Sequence, residues 1–379
     1  MKNRVPQILP LLGLLLLGLT PPLPAQFPEQ PDFARAEREL RAWADRGDMD
    51  AQFELGIRLI TGEGVKKDEK AGLDYVTKAA EQGQPRAQHV MGTLYADGTV
   101  VKKDLAQAFA WFLKAAENGL PMAQHTVGVS YELGEGVEKD PAAATEWFKK
   151  AAAQNYLPSV SAYASKLERG QDGAEKDPAM AALLYLKAAR QDYVPAMSRL
   201  AYLYYSGNGV PVDYRRAFGW YQRAARGESP WSVNDLAWFL ATCPDESLQN
   251  GNQAVLVAKE ALKMVAEAGE DQRYEMLDTV AAALARNGEF AEAVLWQKKA
   301  LSLLKEGQEE DPKQKEEMVK ELNDRLKLYQ KQLPYADRPA ESTQGTEPLP
   351  QDTILEDEGI PDAPPPPKDA PKKGKGTVV

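Results

Sequence analysis

Apolar and small residues recur along this chain at two periods, one of a single helical turn and one ten times longer. The stretch 123–155, AQHTVGVSYELGEGVEKDPAAATEWFKKAAAQN, holds one full unit of the longer period. Ala123, Gly128 and Tyr131 fall on one side of a helix. Gly134 and Gly136 then break it, since glycine takes positive φ at little cost. Asp140 and Pro141 open a second helix that carries Trp147 and Phe148 and closes on Lys150-Ala151-Ala152.

The unit repeats five times. Its first anchors are Ala51, Ala87, Ala123, Val160 and Ala196, at steps of 36, 36, 37 and 36. The turn reads GEGVKKD at 62–68, GTVVKKD at 98–104, GEGVEKD at 134–140, QDGAEKD at 171–177 and GNGVPVD at 207–213. Each turn ends in an aspartate, and ten residues later stands a basic residue, Lys78, Lys114, Lys150, Lys187 or Arg223, followed by two alanines. An aspartate at a helix start accepts hydrogen bonds from free N–H groups, so the five need no catalytic role. The aromatic pairs at 111–112, 147–148 and 220–221 read as core. Neither helix of a pair can bury its apolar stripe alone, so stacked pairs must share one continuous core.

Other segments flank the array. Lys2 and Arg4, an apolar run from Ile8 to Leu19, and Leu23 and Ala25 predict a secretory signal peptide over 1–25, cleaved after Ala25; retention of the run as an anchor is the alternative. Residues 26–50 form an N-terminal cap whose helix carries Phe33, Leu40 and Trp43 on one face. After Gly227 the period breaks, and a hinge or change of pitch is expected there. Helical patterns resume at 231–242, 251–267 and 274–301. A last helix follows Asp311-Pro312, with Met318, Leu322, Leu326, Tyr329 and Leu333 on one face. Residues 334–379 contain ten prolines and few apolar residues and predict a disordered tail.

Composition narrows the chemistry. A net charge of -10 argues against a nucleic-acid partner. The single cysteine, Cys243, excludes an intrachain disulfide and a multi-cysteine metal site, and it reads as a partly buried apolar residue. The two histidines, His89 and His125, occupy equivalent places in adjacent copies. Neighbouring helices lie about 8–10 Å apart, too far for a shared metal without further ligands, so both are expected on a solvent-facing side. No Gly-x-Ser-x-Gly elbow and no Ser-x-x-Lys box in a fitting context is present. The chain therefore reads as non-enzymatic, with no catalytic residue, cofactor or metal.

The positions that differ between copies are the better candidates. If Ala51, Leu55 and Leu59 face inward, residues 53, 57 and 60 point away at 100° per residue. The corresponding set is His89, Thr93 and Ala96 in copy two, His125, Val129 and Glu132 in copy three, and Ser198, Tyr202 and Tyr205 in copy five. Phe53, Ile57, His89, Thr93, His125, Val129, Tyr202 and Tyr205 are the candidate partner-contacting residues. The alternative is that Phe53, Ile57 and Ile60 pack on the cap helix or a neighbouring pair.

The pattern G-E-G-V-x-x-D followed by W-F-x-K-A-A over residues 51–227 resembles the Sel-one-like repeat, a branch of the tetratricopeptide-like α-solenoids, and DTVAAALARNGEFAEAVLWQKKAL within 228–333 resembles an ordinary tetratricopeptide repeat. The fourth copy departs most, with Ser165 in a glycine position, Glu168 in the tyrosine position and Gln171-Asp172-Gly173 in its turn, which is expected to be looser. The resemblance implies an all-α, right-handed superhelical solenoid of antiparallel helix pairs that binds a protein or peptide as a scaffold or adaptor. It also implies an exported, periplasmic or extracellular place, often at the cell envelope, with no membrane span once the signal is removed. Two other readings remain open: a cell-wall-directed or β-lactam-hydrolysing enzyme, known among cysteine-rich relatives, and an envelope scaffold for polysaccharide export.

Overall fold

A computed structural model of the chain describes residues 33–98, 100–227, 229–269, 273–307 and 311–338. The expected signal peptide at 1–25 and the tail from 339 onward lie outside the described residues. The described residues form α-helices joined by short turns, plus one 3₁₀ turn at Glu246–Leu248, and contain no strand. The helices are α1 (Phe33–Asp45), α2 (Met49–Thr61), α3 (Glu69–Glu81), α4 (Pro85–Asp97), α5 (Leu105–Glu117), α6 (Pro121–Leu133), α7 (Pro141–Ala153) and α8 (Leu157–Arg169). They continue with α9 (Pro178–Ala189), α10 (Val194–Ser206), α11 (Tyr214–Ala225), α12 (Pro230–Thr242), α13 (Gly251–Glu267), α14 (Tyr274–Arg286), α15 (Phe290–Glu306) and α16 (Pro312–Gln330). The fold is an all-α solenoid of tandem helix pairs. By contact density it divides into two compact units, Met1–Val90 and Met91–Val379.

Each turn is closed by two bonds from one aspartate. Its backbone N–H donates to the carbonyl of the eleventh residue of the preceding helix: Asp68 to Leu59, Asp104 to Tyr95, Asp140 to Tyr131, Asp177 to Leu167 and Asp213 to Tyr204, at 2.8–2.9 Å. Its carboxylate accepts from the third N–H of the next helix, at Ala71, Gln107, Ala143, Met180 and Arg216. A cap of this kind contributes about 1 kcal/mol. The second turn glycine meets a different demand. Gly136 has φ 75°, and a Cβ there would lie 2.1 Å from the Leu105 carbonyl oxygen, so the turn rests directly on the preceding repeat's second helix.

These bonds correct the expected register of copy four. Counting from each helix start, Ser159 and not Val160 stands where Ala51, Ala87, Ala123 and Ala196 stand. Ser159 is 0% exposed. The extra residue lies in the turn Gly170–Asp177 and not between copies three and four. That turn is not looser, because the Asp177 N–H still reaches its carbonyl at 2.8 Å. In the corrected register Ala164 takes the glycine position, Leu167 the tyrosine position, and Glu168 aligns with Glu132 and Tyr205.

Helix pairs close on small residues. A Cβ on Gly92 would lie 2.5 Å from the Phe112 ring, and one on Gly128 would lie 2.6 Å from Phe148. Phe112 and Phe148 are buried as expected. Their neighbours Trp111 and Trp147 are only half-buried, each beneath a lysine ammonium, Lys114 at 4.0 Å and Lys150 at 3.8 Å from the ring centre. Only in copy five do both aromatics, Trp220 and Tyr221, enter the core. Trp43, expected on the cap's apolar face, is 54% exposed under Arg46, and Ala44 is buried instead.

The second unit's core runs without a gap from Ala152 to Tyr329, across the break at Gly227. A Cβ on Gly227 would lie 2.2 Å from Val194, so the chain is packed there rather than hinged. The pairing continues beyond it. The Asn250 N–H closes α12 onto α13 through the Leu240 carbonyl at 2.9 Å, and Asn250 caps α13. The Glu289 N–H closes α14 onto α15 through Leu284 at 2.8 Å. Helix α16 lays Leu322 and Tyr329 on this core. Leu333, expected on the same face, is exposed, because the helix ends at Gln330 and the chain turns at Gln332 (φ 55°).

A candidate partner-binding groove

The candidate face comprises the fifth, ninth and twelfth positions of each first helix. In the first unit Phe53 and Ile57 are half-buried, and Ile60 packs toward Gly72 of α3. His89 is buried, not solvent-facing, and burial lowers its pKa to about 4. In the second unit Thr93 and Val129 are half-buried. His125 is not free on the surface either. Its ring lies 5.3 Å from Phe148 and 5.5 Å from Tyr156, and Nδ1 is 2.8 Å from Ser159 Oγ. Burial lowers its pKa to about 4, with Glu132 opposing the shift. The twelfth positions of copies three and four are spent on ion pairs between neighbouring helices. Glu132 meets Lys166 at 2.5 Å, and the buried Glu168 receives Arg199 through Nε at 2.9 Å and Nη2 at 2.8 Å. Tyr202 is 44% exposed, and Arg199 lies 5.1 Å from its ring centre.

Tyr205 leads to the most developed site. Its ring packs edge-on against Tyr214 and Phe239, and its hydroxyl donates to Asp337 Oδ2. Burial, then the Asp337 carboxylate, raises the Tyr205 pKa and keeps the phenol protonated. Trp238 Nε1 donates to the same oxygen at 3.1 Å, and Thr242 Oγ1 lies 3.0 Å from it. Thr242 Oγ1 is also 2.9 Å from the Trp238 carbonyl, so its single proton is shared between two acceptors. Asp337 belongs to the stretch 333–338 that follows α16 and has no regular secondary structure. The expected tail therefore begins as an ordered strap across α12 and α14. The Asp337 N–H donates to the Thr242 carbonyl at 2.8 Å, and Arg286 Nη2 donates to the Tyr335 carbonyl at 2.7 Å. The Tyr335 ring lies 6.0 Å from Trp238, with Arg325 5.3 Å from its centre. Burial, then Asp337, pushes the Tyr335 pKa up to about 12.

Two cavities flank the strap. One of about 690 Å³ is lined by Asn234, Trp238, Glu275, Asp278, Arg325 and Tyr335 among others. The other, about 400 Å³, is lined by Tyr202, Tyr205, Tyr221, Asp235 and Trp238 with the strap. Asn234 Oδ1 and Glu275 Oε2, on the larger one, are buried acceptors without a hydrogen-bond donor. Beneath it Arg325 Nε reaches Asp278 Oδ1 at 3.0 Å, Arg325 Nη2 reaches Oδ2 at 3.0 Å, and Gln297 Nε2 donates to Oδ1 at 2.8 Å. Burial raises the Asp278 pKa against the pull of Arg325. In the smaller cavity burial raises Asp235 to about 6, opposed by a Ser198 hydrogen bond and by Arg199.

Sequence reasoning missed most of this groove. Continuing the fifth-and-ninth-position rule past Gly227 reaches part of it, since Asn234 and Trp238 are those positions of α12 and Asp278 is the fifth of α14. The break at Gly227 hides this continuity, because the anchors beyond it lose their glycine and tyrosine signature.

Tandem antiparallel pairs closed by one capping aspartate per turn define an α-solenoid of the tetratricopeptide-like class. Within residues 50–229 its repeats are Sel1 repeats. The Sel1 repeat model matches residues 50–84, 85–120, 121–156, 162–193 and 194–229. Its fourth match is the shortest, in the copy with the longer turn. The chain is similar in structure to a protective antigen present in uropathogenic Escherichia coli strains that displays an SLR fold. That likeness has 26% identity, a TM-score of 0.59, and covers 80% of this chain and 69% of that one. It is also similar to a Sel1 repeat protein from Oxalobacter formigenes, with 27% identity, a TM-score of 0.51, and coverage of 60% and 99%. No curated protein matches the chain. Sel1-repeat proteins generally act as non-catalytic scaffolds that bind other proteins. Among the described residues no helix is long and apolar enough to cross a membrane.

Proposed function

We propose that this chain is an exported, non-enzymatic scaffold that binds one protein partner along the face presented by its first helices, most strongly between α10 and α14. The observation that carries this is the strap. A non-helical piece of polypeptide is held on that face by its backbone at two points and by an aromatic and an acidic side chain. Tyr202, at the open edge of the smaller cavity, is the exposed candidate best placed to meet a partner. Export rests on the N-terminal basic-apolar-small pattern, and a periplasmic or extracellular location follows from it.

The test places a photo-crosslinking residue at Tyr202 and, as a control, at the exposed Lys187 on α9. Crosslinking is done in the native host and read by mass spectrometry. One dominant protein captured at 202 and not at 187, whose co-purification with the otherwise unmodified chain is lost on Tyr202→Ala at unchanged Tm, supports the reading. Equal capture at both sites, or turnover of a β-lactam or peptidoglycan by the purified protein that a point mutation abolishes, removes it.

A further inference from the structure

We infer that the groove between α10 and α16 is a receptor for a peptide segment carrying an aromatic residue two positions before a carboxylate, and that Tyr335–Asp337 is its occupant in cis. The inference rests on the reading that this face binds protein, and it names the chemistry recognised. The carboxylate is read by Tyr205, Trp238 and Thr242, three donors from two helices that converge on one oxygen. The aromatic is read by Trp238 and by the Arg325 guanidinium. Main-chain bonds to Thr242 and Arg286 fix the register between them. That combination, backbone bonds for affinity with side-chain pockets for specificity, is the way grooves recognise extended peptides.

Three features mark the strap as an exchangeable occupant rather than a part of the core. It carries no secondary structure of its own and begins after the last helix has ended. The strap lines two cavities, of about 690 and 400 Å³, that extend beside it. The larger cavity also holds two buried acceptors, Asn234 Oδ1 and Glu275 Oε2, that the strap leaves without a donor. A longer partner segment bearing N–H donors would satisfy them. Tethered by a few residues to α16, the strap has an effective concentration in the millimolar range. A partner must displace it, and its apparent affinity falls by the fraction of groove that is open.

The experiment uses the full chain and a fluorescent peptide copying residues 332–339. Wild type is compared with the variant Tyr335→Ala/Asp337→Ala, whose helical CD and Tm are checked first. The variant should bind the peptide at least about tenfold more tightly than wild type, and the same peptide with asparagine at its aspartate should lose that gain. Equal binding by variant and wild type, or equal binding of the asparagine peptide, overturns the proposal. Should the double variant fail to fold, hydrogen exchange on wild type decides. Saturating peptide should accelerate exchange of the Asp337 amide, and an unchanged rate overturns the proposal. A partner captured at Tyr202 while the opened groove ignores the peptide leaves the scaffold reading standing and this one refuted. Peptide binding without any captured partner does the reverse.

Discussion

At the scale of single residues, the repeating positions are explained by backbone contact. Gly136 combines φ 75° with a missing Cβ that would strike the Leu105 carbonyl at 2.1 Å, whereas Gly47, at φ 94°, has nothing within 4 Å. Gly136→Ala should therefore cost more than Gly47→Ala, about 3 kcal/mol or above against about 1 kcal/mol. Urea denaturation of the two variants checks the order, and equal losses would show that the turn does not rest on α5. Cys243 makes a second residue-scale case. It is 0% exposed, and burial raises its thiol to about 12. A maleimide should leave the native protein unlabelled at neutral pH and label it fully in denaturant. Rapid native labelling, read by intact mass, would contradict this placement. The capping aspartates, turn glycines and buried alanines were legible in the sequence because each answers a local backbone demand. The histidines were not. His125, for one, is covered by Phe148 and Tyr156, which no spacing rule connects to it.

At the scale of elements, the helix pair was legible and its register only partly so. Val160 imitates an anchor because it is apolar, while the true anchor, Ser159, is polar but buried and lies against His125. The helix start at Leu157 and the bond from Asp177 to Leu167 decide between them. Helix α16 was read from an apolar stripe, yet a charged residue on it is also buried. Arg325 enters the core to meet Asp278, which Gln297 also binds. Removing one partner of a buried pair strands the other, so Arg325→Ala should cost about 3–5 kcal/mol. Asp278→Asn combined with Arg325→Met should cost clearly less, since no buried charge is left unpaired. Denaturant midpoints of Asp278→Asn, Arg325→Met and their double variant give the coupling. Additive losses would mean that the pair does not act as a unit. The groove was legible only in part for a related reason: Tyr202 and Tyr205 of α10 stand out, while its other residues come from α12, α14, α16 and a strap whose composition reads as tail.

At the scale of the whole molecule, stacked repeats bury whatever the variable positions supply, and here they bury titratable groups. His89 and His125 both have pKa values lowered to about 4 by burial, His125 against a small opposing pull from Glu132. In the unfolded chain a histidine titrates near 6.5. Between those values the unfolded state binds protons that the folded state refuses, so stability rises with pH across that window. The contribution is fully present above about pH 6.5 and is lost as pH falls toward 4, by up to about 3 kcal/mol for each histidine. Thermal unfolding from pH 7.5 to 4.5 should show a falling Tm in wild type. The variant His89→Gln/His125→Asn should show a shallower fall, because neutral amides replace rings that must otherwise charge. Asparagine at 125 keeps an atom within reach of the Ser159 hydroxyl, which separates loss of titration from loss of that contact. An equally steep fall in wild type and double variant would assign the acid sensitivity to other groups and leave the two rings without a part in it.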